Sequence, residues 1–376
     1  MDIWKLNLRH LRAFAETVRL GSISAAAQAV NLTQPAITQA LAKLKATLGQ
    51  TLFVRQPDGM SASAAADILS PRVDAALAHI NSQRVTMTQV HALIALSTHG
   101  SYAVASAATG LSQPALHRAI QDVSLALGKT LVERRGRGVM LTEAGQRVAR
   151  GFRLARAELA AGLSELGALK GREVGRIAIG AMPLSRARLL PKAVAAYHCS
   201  HRHVDIMIAE GSHAELIEPL RDGELDLLIG ALRDPPPGDD VEQRPIFQDH
   251  PVILGRKGHP LHEPSIAELA TYPWIISGPA TPLRAQWEKM FTQAGITPPH
   301  VPIECGSVIT IRQLLLDGDY LTMLSLDQVA VELEANWLRV ICEAPKGLVR
   351  TIGLTTRAGW VPTKLQAAFI DILVNS

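Results

Sequence analysis

Cysteine is scarce in this chain of 376 residues, with only Cys199, Cys305 and Cys342 present. No two of them stand at a paired spacing, which argues against a disulfide framework and for a reducing compartment. No apolar run reaches the roughly 18 residues needed to span a membrane. The N-terminus, MDIWKLNLRHLRAF, carries charges where a signal peptide keeps an unbroken apolar core. A cytoplasmic location without membrane contact is therefore expected. Catalytic signatures are missing as well. There is no Gly-x-Ser-x-Gly elbow and no His-Glu-x-x-His pair. Gly128-Lys129-Thr130 imitates the end of a phosphate-binding loop, but Val123 stands where the leading glycine should be. His198-Cys199-Ser200-His201-Arg202-His203 gathers metal-ligand types at a helix-to-strand junction, yet lacks a second ligand pair at zinc spacing. A solvated loop is the simpler reading. No enzyme activity, cofactor or metal is expected.

What the chain does have is enough apolar content, 47%, for real cores, and length for two or three compact units. Its charge is unevenly divided. Residues 1–173 carry 20 Lys and Arg against 11 Asp and Glu, and residues 174–376 carry 18 against 23. The first part suits a polyanion and the second does not.

An internal repeat at an offset of 79 residues organises the basic part. Gly21-Ser22 matches Gly100-Ser101, and Leu32-Thr33-Gln34-Pro35-Ala36 matches Leu111-Ser112-Gln113-Pro114-Ala115. Leu48-Gly49, Thr51-Leu52 and Arg55 recur as Leu127-Gly128, Thr130-Leu131 and Arg134. In the first copy Leu8, Leu11, Phe14, Ala15 and Val18 make one apolar helical face, ended by Gly21. Ser24 to Val30 forms a short helix of small residues. After a turn at Asn31-Leu32, Thr33 is a good N-cap and Pro35 fits the first turn of the next helix. Ile37, Leu41 and Leu44 face inward and leave Thr38, Gln39 and Lys43 outside. Amide and hydroxyl groups at such positions read base edges in the major groove. The second copy offers Gln113, His117 and Arg118, followed by a basic hairpin with Arg134, Arg135 and Arg137 that suits phosphates or the minor groove.

These residues, from Gly21 through Thr33-Gln34-Pro35 to Leu52-Phe53-Val54-Arg55, and the second copy with Leu141-Thr142-Glu143-Ala144-Gly145, resemble the winged helix-turn-helix of LysR-type transcriptional regulators. Gly230-Ala-Leu-Arg-Asp-Pro-Pro-Pro, Thr281-Pro-Leu-Arg284 and Gly353-Leu-Thr-Thr-Arg357 are similar to the subgroup around the galactose-binding-protein regulator. The duplicated reading head departs from the family pattern. The first copy also has the non-basic loop Gln56-Pro-Asp-Gly and shows Ser61-Ala-Ser-Ala-Ala-Ala in place of the usual wing ending. Both copies are expected to touch double-stranded DNA at a pseudo-palindromic operator.

Residues 142 to about 169 lack proline and repeat apolar residues helically, at Val148, Phe152, Leu154, Ala155, Leu159, Leu163 and Leu166. The resemblance implies that this is a linker helix pairing with its counterpart in a homodimer, or in a homotetramer. The alternative is a helix packed only on its own chain. Beyond Gly175, strand and helix signals alternate, with strands at Arg176–Gly180, Val204–Ala209 and Leu225–Gly230 and later at Pro251–Leu254, Trp274–Ser277 and Tyr320–Ser325. A mostly parallel sheet wrapped by helices follows. The expected architecture is α+β and multidomain: winged helix-turn-helix domains over 1–84 and 85–146, a linker over 147–172, and a two-lobed α/β effector domain over 173–376. Its lobes are 173–253 with 343–376, and 254–342. The resemblance implies a small-molecule effector in the cleft, with RNA polymerase as a further partner. By position, the cleft residues are Met182, Leu184, Ser185, Ser212, Ser277, Thr281, Pro282, Ser307 and Ser325. A sugar, a sugar acid or an aromatic carboxylate fits the resemblance. A solute receptor would have no use for the basic part, and an architectural DNA-binding protein none for the sensor.

Overall fold

The computed structural model describes residues 2–56, 59–136, 138–171, 174–279, 281–345 and 347–375, and the side chain of Arg135 is not described. The chain divides into two compact units, Met1–Gly175 with Asp222–Glu224, and Arg176–Arg221 with Leu225–Ser376.

In the first unit the repeat is carried into three dimensions. Asn7 accepts a hydrogen bond from Arg9 N and opens α1 (Leu8–Leu20), which Gly21 ends in the left-handed region. Ser22 caps α2 (Ile23–Ala29). Thr33 caps α3 (Gln34–Leu48) with Pro35 in the first turn, where no N–H is missed. A hairpin of β1 (Phe53–Gln56) and β2 (Gly59–Ala62) follows, and then α4 (Ala64–Ile80). The second copy runs α5 (Met87–His99), α6 (Tyr102–Thr109), α7 (Gln113–Leu127), hairpin β3 (Val132–Arg135) and β4 (Gly138–Leu141), and α8 (Glu143–Ala168). The two copies share details as well as order. Ser63 and Thr142 cap the fourth helices, and each hydroxyl donates to the carbonyl of Thr51 or Thr130 at 2.7 Å.

The Ser61–Ala66 stretch, where the first copy departs from the family pattern, thus completes β2 and starts α4. That helix buries Ala66, Leu69, Val73, Ala76 and Ile80 at alternating spacings of three and four, the seam of a paired helix. The seam it meets is that of α8, with Phe152, Ala155, Leu159 and Leu166 in the same apolar core. The linker seam, expected to pair between protomers, is therefore covered inside the chain. Two glycines of α8 permit the approach. A Cβ at Gly151 would stand 2.7 Å from the carbonyl oxygen of His79, and one at Gly162 would stand 3.0 Å from Leu69. Buried Arg72 locks the register by pairing with Glu158 at 3.1 Å and Glu165 at 3.0 Å.

In the second unit, β5 (Gly175–Ala181), α9 (Leu189–Ser200), β6 (Val204–Glu210), α10 (His213–Arg221) and β7 (Leu227–Ala231) follow the alternation read from the sequence. Two further strands, β8 (Val241–Asp249) and β14 (Arg350–Arg357), complete a five-stranded sheet ordered β6-β5-β7-β14-β8. Strands β5 and β7 are parallel, whereas β14 runs antiparallel to β7 and to β8. The sheet is therefore mixed rather than mostly parallel. Helix α15 (Lys364–Val374) packs with α9 over it, through Tyr197, Phe369 and Leu373.

The second lobe holds β9 (Pro251–Arg256), α11 (Ile266–Leu269), β10 (Ile275–Ile276), α12 (Pro282–Gln293), β11 (Ile303–Glu304), α13 (Val308–Asp317), β12 (Thr322–Ser325), α14 (Ala330–Glu334) and β13 (Leu338–Glu343). Its main sheet is β12-β9-β13, all antiparallel pairs. Because β9 pairs from Pro251 onward, the crossover lies before that residue and not between 253 and 254. Trp274, Trp287 and Phe291 meet edge to face, with ring centroids 5.1–5.9 Å apart, and anchor this core. Among the described residues, no helix is long and apolar enough to cross a membrane.

Candidate nucleic-acid interface and ligand cavity

Helices α3 and α7 present the same arrangement twice. Their apolar faces, Ile37, Leu41 and Leu44 in one and Leu116, Ile120 and Val123 in the other, are buried in the core. Thr33, Gln34, Pro35, Thr38, Gln39 and Lys43 are exposed, as are Ser112, Gln113, Pro114, His117 and Arg118. The caps have a second consequence. Thr33 Oγ1 and Ser112 Oγ accept from Ala36 N and Ala115 N, so both hydroxyls are already engaged in holding the helix start. The side chains left to face a partner are Gln34, Thr38, Gln39 and Lys43 in one head and Gln113, His117, Arg118 and Asp122 in the other.

The two heads differ where they would read. Equivalent positions hold Thr38 and His117, Gln39 and Arg118, and Lys43 and Asp122. His117 leans on Tyr102, with ring centroids 5.3 Å apart, so Tyr102 orients it from α6. The sequence reading missed Tyr102. In the basic hairpin Arg134 is exposed on β3 opposite Val139. Arg137 lies outside the described residues, as does the side chain of Arg135.

The second unit contains a cavity of about 870 Å³ where its two lobes meet. Met182, Leu184, Ser212, Ser277, Thr281, Pro282 and Ser307 line it. Ser185 and Ser325 do not. Ser185 is buried and donates its hydroxyl to Met182 O at 2.9 Å, closing the 3-10 turn Pro183–Arg186. Ser325 is buried at the end of β12, where Gln328 caps its N–H. The remaining hydroxyls are mostly structural. Thr281 and Ser307 are the N-caps of α12 and α13. Ser277 and Thr281 share a hydrogen bond of 2.7 Å, and Ser212 is held by Glu215.

The charged groups of the cavity went unread in the sequence. Arg186 and Arg350 reach it but are tied to Glu210 and buried Asp249. His213 and Arg233 follow the ends of β6 and β7, where ligands of α/β sheets bind. Arg233 is fixed at its backbone by Gln243, which donates to Arg233 O and accepts from Arg233 N, both at 2.8 Å. Burial lowers the pKa of His213, and Arg233 and Arg221 lower it further. His213 Nε2 is buried and has no hydrogen-bond partner in the described structure. A buried imidazole nitrogen without a partner, in one cavity with the Arg233 guanidinium, suits an anion.

Two capped helices with exposed polar faces, followed along the chain by a two-lobed α/β cleft, fit a DNA-binding protein with a ligand domain. The description of bacterial regulatory helix-turn-helix proteins of the lysR family matches residues 8–67 and again residues 87–146, and that of the LysR substrate binding domain matches residues 170–376. The chain belongs to the LysR family of transcriptional regulators. It is 29% identical to the HTH-type transcriptional regulator GalR of Pseudomonas putida over 98% of this chain and 97% of that one. It is 32% identical to the SDS degradation transcriptional activation protein of a Pseudomonas species, over 73% of this chain and 90% of the relative. Among solved structures, a full-length OxyR variant from Pseudomonas aeruginosa superposes with a TM-score of 0.57 at 21% identity, covering 77% of this chain and 93% of that one. The protein is thus a LysR-type DNA-binding transcriptional regulator with an effector-binding domain.

Proposed function

We propose that the exposed faces of α3 and α7 read base edges, that Arg134 holds phosphate, and that the cavity binds a small carboxylate effector, a sugar acid or an aromatic acid. The doubled arrangement of a capped helix start with an exposed amide-bearing face supports the DNA assignment. The placement of His213 and Arg233 in one cavity with apolar Met182, Leu184 and Pro282 supports the carboxylate and argues against a neutral sugar.

Regulation follows from differential binding. An effector that stabilises one geometry of the cleft favours the arrangement of the protein compatible with that geometry, and so alters DNA binding. Homo-oligomers and RNA polymerase are the partners this reading implies. A thermal-shift screen of the full chain against sugars, sugar acids and aromatic carboxylates tests the effector class. Ligand at a hundredfold excess over its dissociation constant stabilises the fold by roughly 2.7 kcal/mol. A saturable shift with carboxylates, reduced in His213→Ala, is expected; a shift with neutral sugars alone would overturn the carboxylate assignment.

A further inference from the structure

The pairing of α4 with α8 gives the first unit an internal two-fold. The two helices occupy the same place in the repeat, each opened by its equivalent cap at Ser63 or Thr142. They run antiparallel, since His79 near the end of α4 meets Gly151 near the start of α8, while Leu69 meets Gly162. They also meet through the same positions. Val73, Ala76 and Ile80 are the repeat equivalents of Phe152, Ala155 and Leu159, and all six are buried in one core. The contacts exchange as an isologous interface requires. Arg72 touches Glu158, and the equivalents of these two residues, Gly151 and His79, touch each other. Antiparallel pairing through identical positions is what a two-fold axis produces, and here both halves belong to one chain.

We infer that a single chain is a complete two-fold DNA reader with unlike halves, so that one chain binds two inverted half-sites of different sequence. The inference rests on the proposed DNA-reading role of α3 and α7. Two-fold-related heads match the local dyad of a duplex, which relates inverted half-sites. The halves are unlike because the exposed side chains differ. Gln39 suits adenine, whereas Arg118 at the equivalent position suits guanine. Lys43 is replaced by Asp122, which accepts from cytosine N4. His117, oriented by Tyr102, stands where the first head has Thr38. Since α4 covers the seam of α8, a second chain is not needed to pair the heads.

The test is selection of binding sites from randomised 40-base-pair duplex by the full-length chain and two double variants, Thr38→Ala with Gln39→Ala and Gln113→Ala with Arg118→Ala. All four side chains are exposed, and matching melting temperatures would verify the folds. The wild type is expected to enrich inverted half-sites of unlike sequence. Each variant should lose base preference in one half only, by about tenfold or more, and the two variants should lose opposite halves. In a reader assembled from two equivalent chains, each variant would change both halves alike or neither, and that result overturns the inference. Enrichment of no sequence by the wild type would overturn it too, by removing the DNA-reading role on which it rests.

Discussion

Arg72 is buried between Glu158 and Glu165 of the facing helix, with a side-chain exposure of 6%. Removing one member of a buried ion pair leaves charge stranded at a cost of about 3–5 kcal/mol. Arg72→Met should therefore lower the urea midpoint of the first unit's transition, and adding Glu158→Leu and Glu165→Leu should recover most of the loss. An unchanged midpoint in the single variant would show that the triad does not hold the helices in register. In the cavity, Arg233→Ala should weaken a bound carboxylate roughly 10- to 100-fold, the loss of one charged hydrogen bond worth about 1.5–3 kcal/mol. Calorimetry on the effector found by the screen would measure it. His213 contributes to the pH dependence, as do His10, His91 and His259, whose pKa values burial also lowers. The folded pKa of His213 lies below the ordinary 6.5 because of burial and then of Arg233 and Arg221. As pH falls through 6.5 the unfolded chain takes up the proton first, so stability present at neutral pH is lost towards acid. His213→Gln should therefore lose less melting temperature than the wild type between pH 7.5 and 5.5. An equal loss in both would contradict the assignment.

Among the elements, the reading helices were the most legible in sequence. Thr33 with Pro35 and Ser112 with Pro114 state a helix start in local chemistry, and nothing tertiary was needed to find them. Helix α4 was harder to see, because its alanines read as a lost wing ending and its meaning depends on a partner more than 70 residues away. The signal was present nonetheless, in the seam of Ala66, Leu69, Val73, Ala76 and Ile80. The strands β8 and β14 escaped for a related reason. Strand β8 leads into the second lobe and β14 returns from it, so this antiparallel pair carries no βαβ rhythm, and Ile352 to Thr355 in β14 is buried without alternation. Seven of the nine residues placed by topology line the described cavity, whereas His213 and Arg233, which also line it, were not read. Several hydroxyls among the nine proved to cap helices or close turns, work that the sequence does not distinguish from ligand binding. The wing offers a prediction of its own. Arg134→Ala should weaken binding about equally for all sequences and reduce the slope of log affinity against log salt by about 1. A loss confined to one sequence would mean that Arg134 reads a base instead of holding phosphate.

At the scale of the whole molecule, an excess of positive charge over residues 1–173 and of negative charge beyond them separates a DNA-facing part from a sensing part. Each head is a full copy of the family's reading domain, and their fourth helices close one shared core. This replaces association between chains with association within one. Any homo-oligomer must therefore use a surface other than the paired faces of α4 and α8. For regulation, a ligand of the cavity must be felt at the heads, and linkage makes the effect reciprocal. The most direct measurement is an anisotropy titration of a selected duplex with the full-length chain, at fixed salt, without and with saturating carboxylate effector. A change in affinity of at least severalfold is predicted, on the scale of the 1–3 kcal/mol usual for coupled sites, and in Arg233→Ala the same change should need a roughly 10- to 100-fold higher effector concentration. If affinity and footprint are the same with and without a demonstrably bound effector, the cavity does not control DNA binding and the account is contradicted.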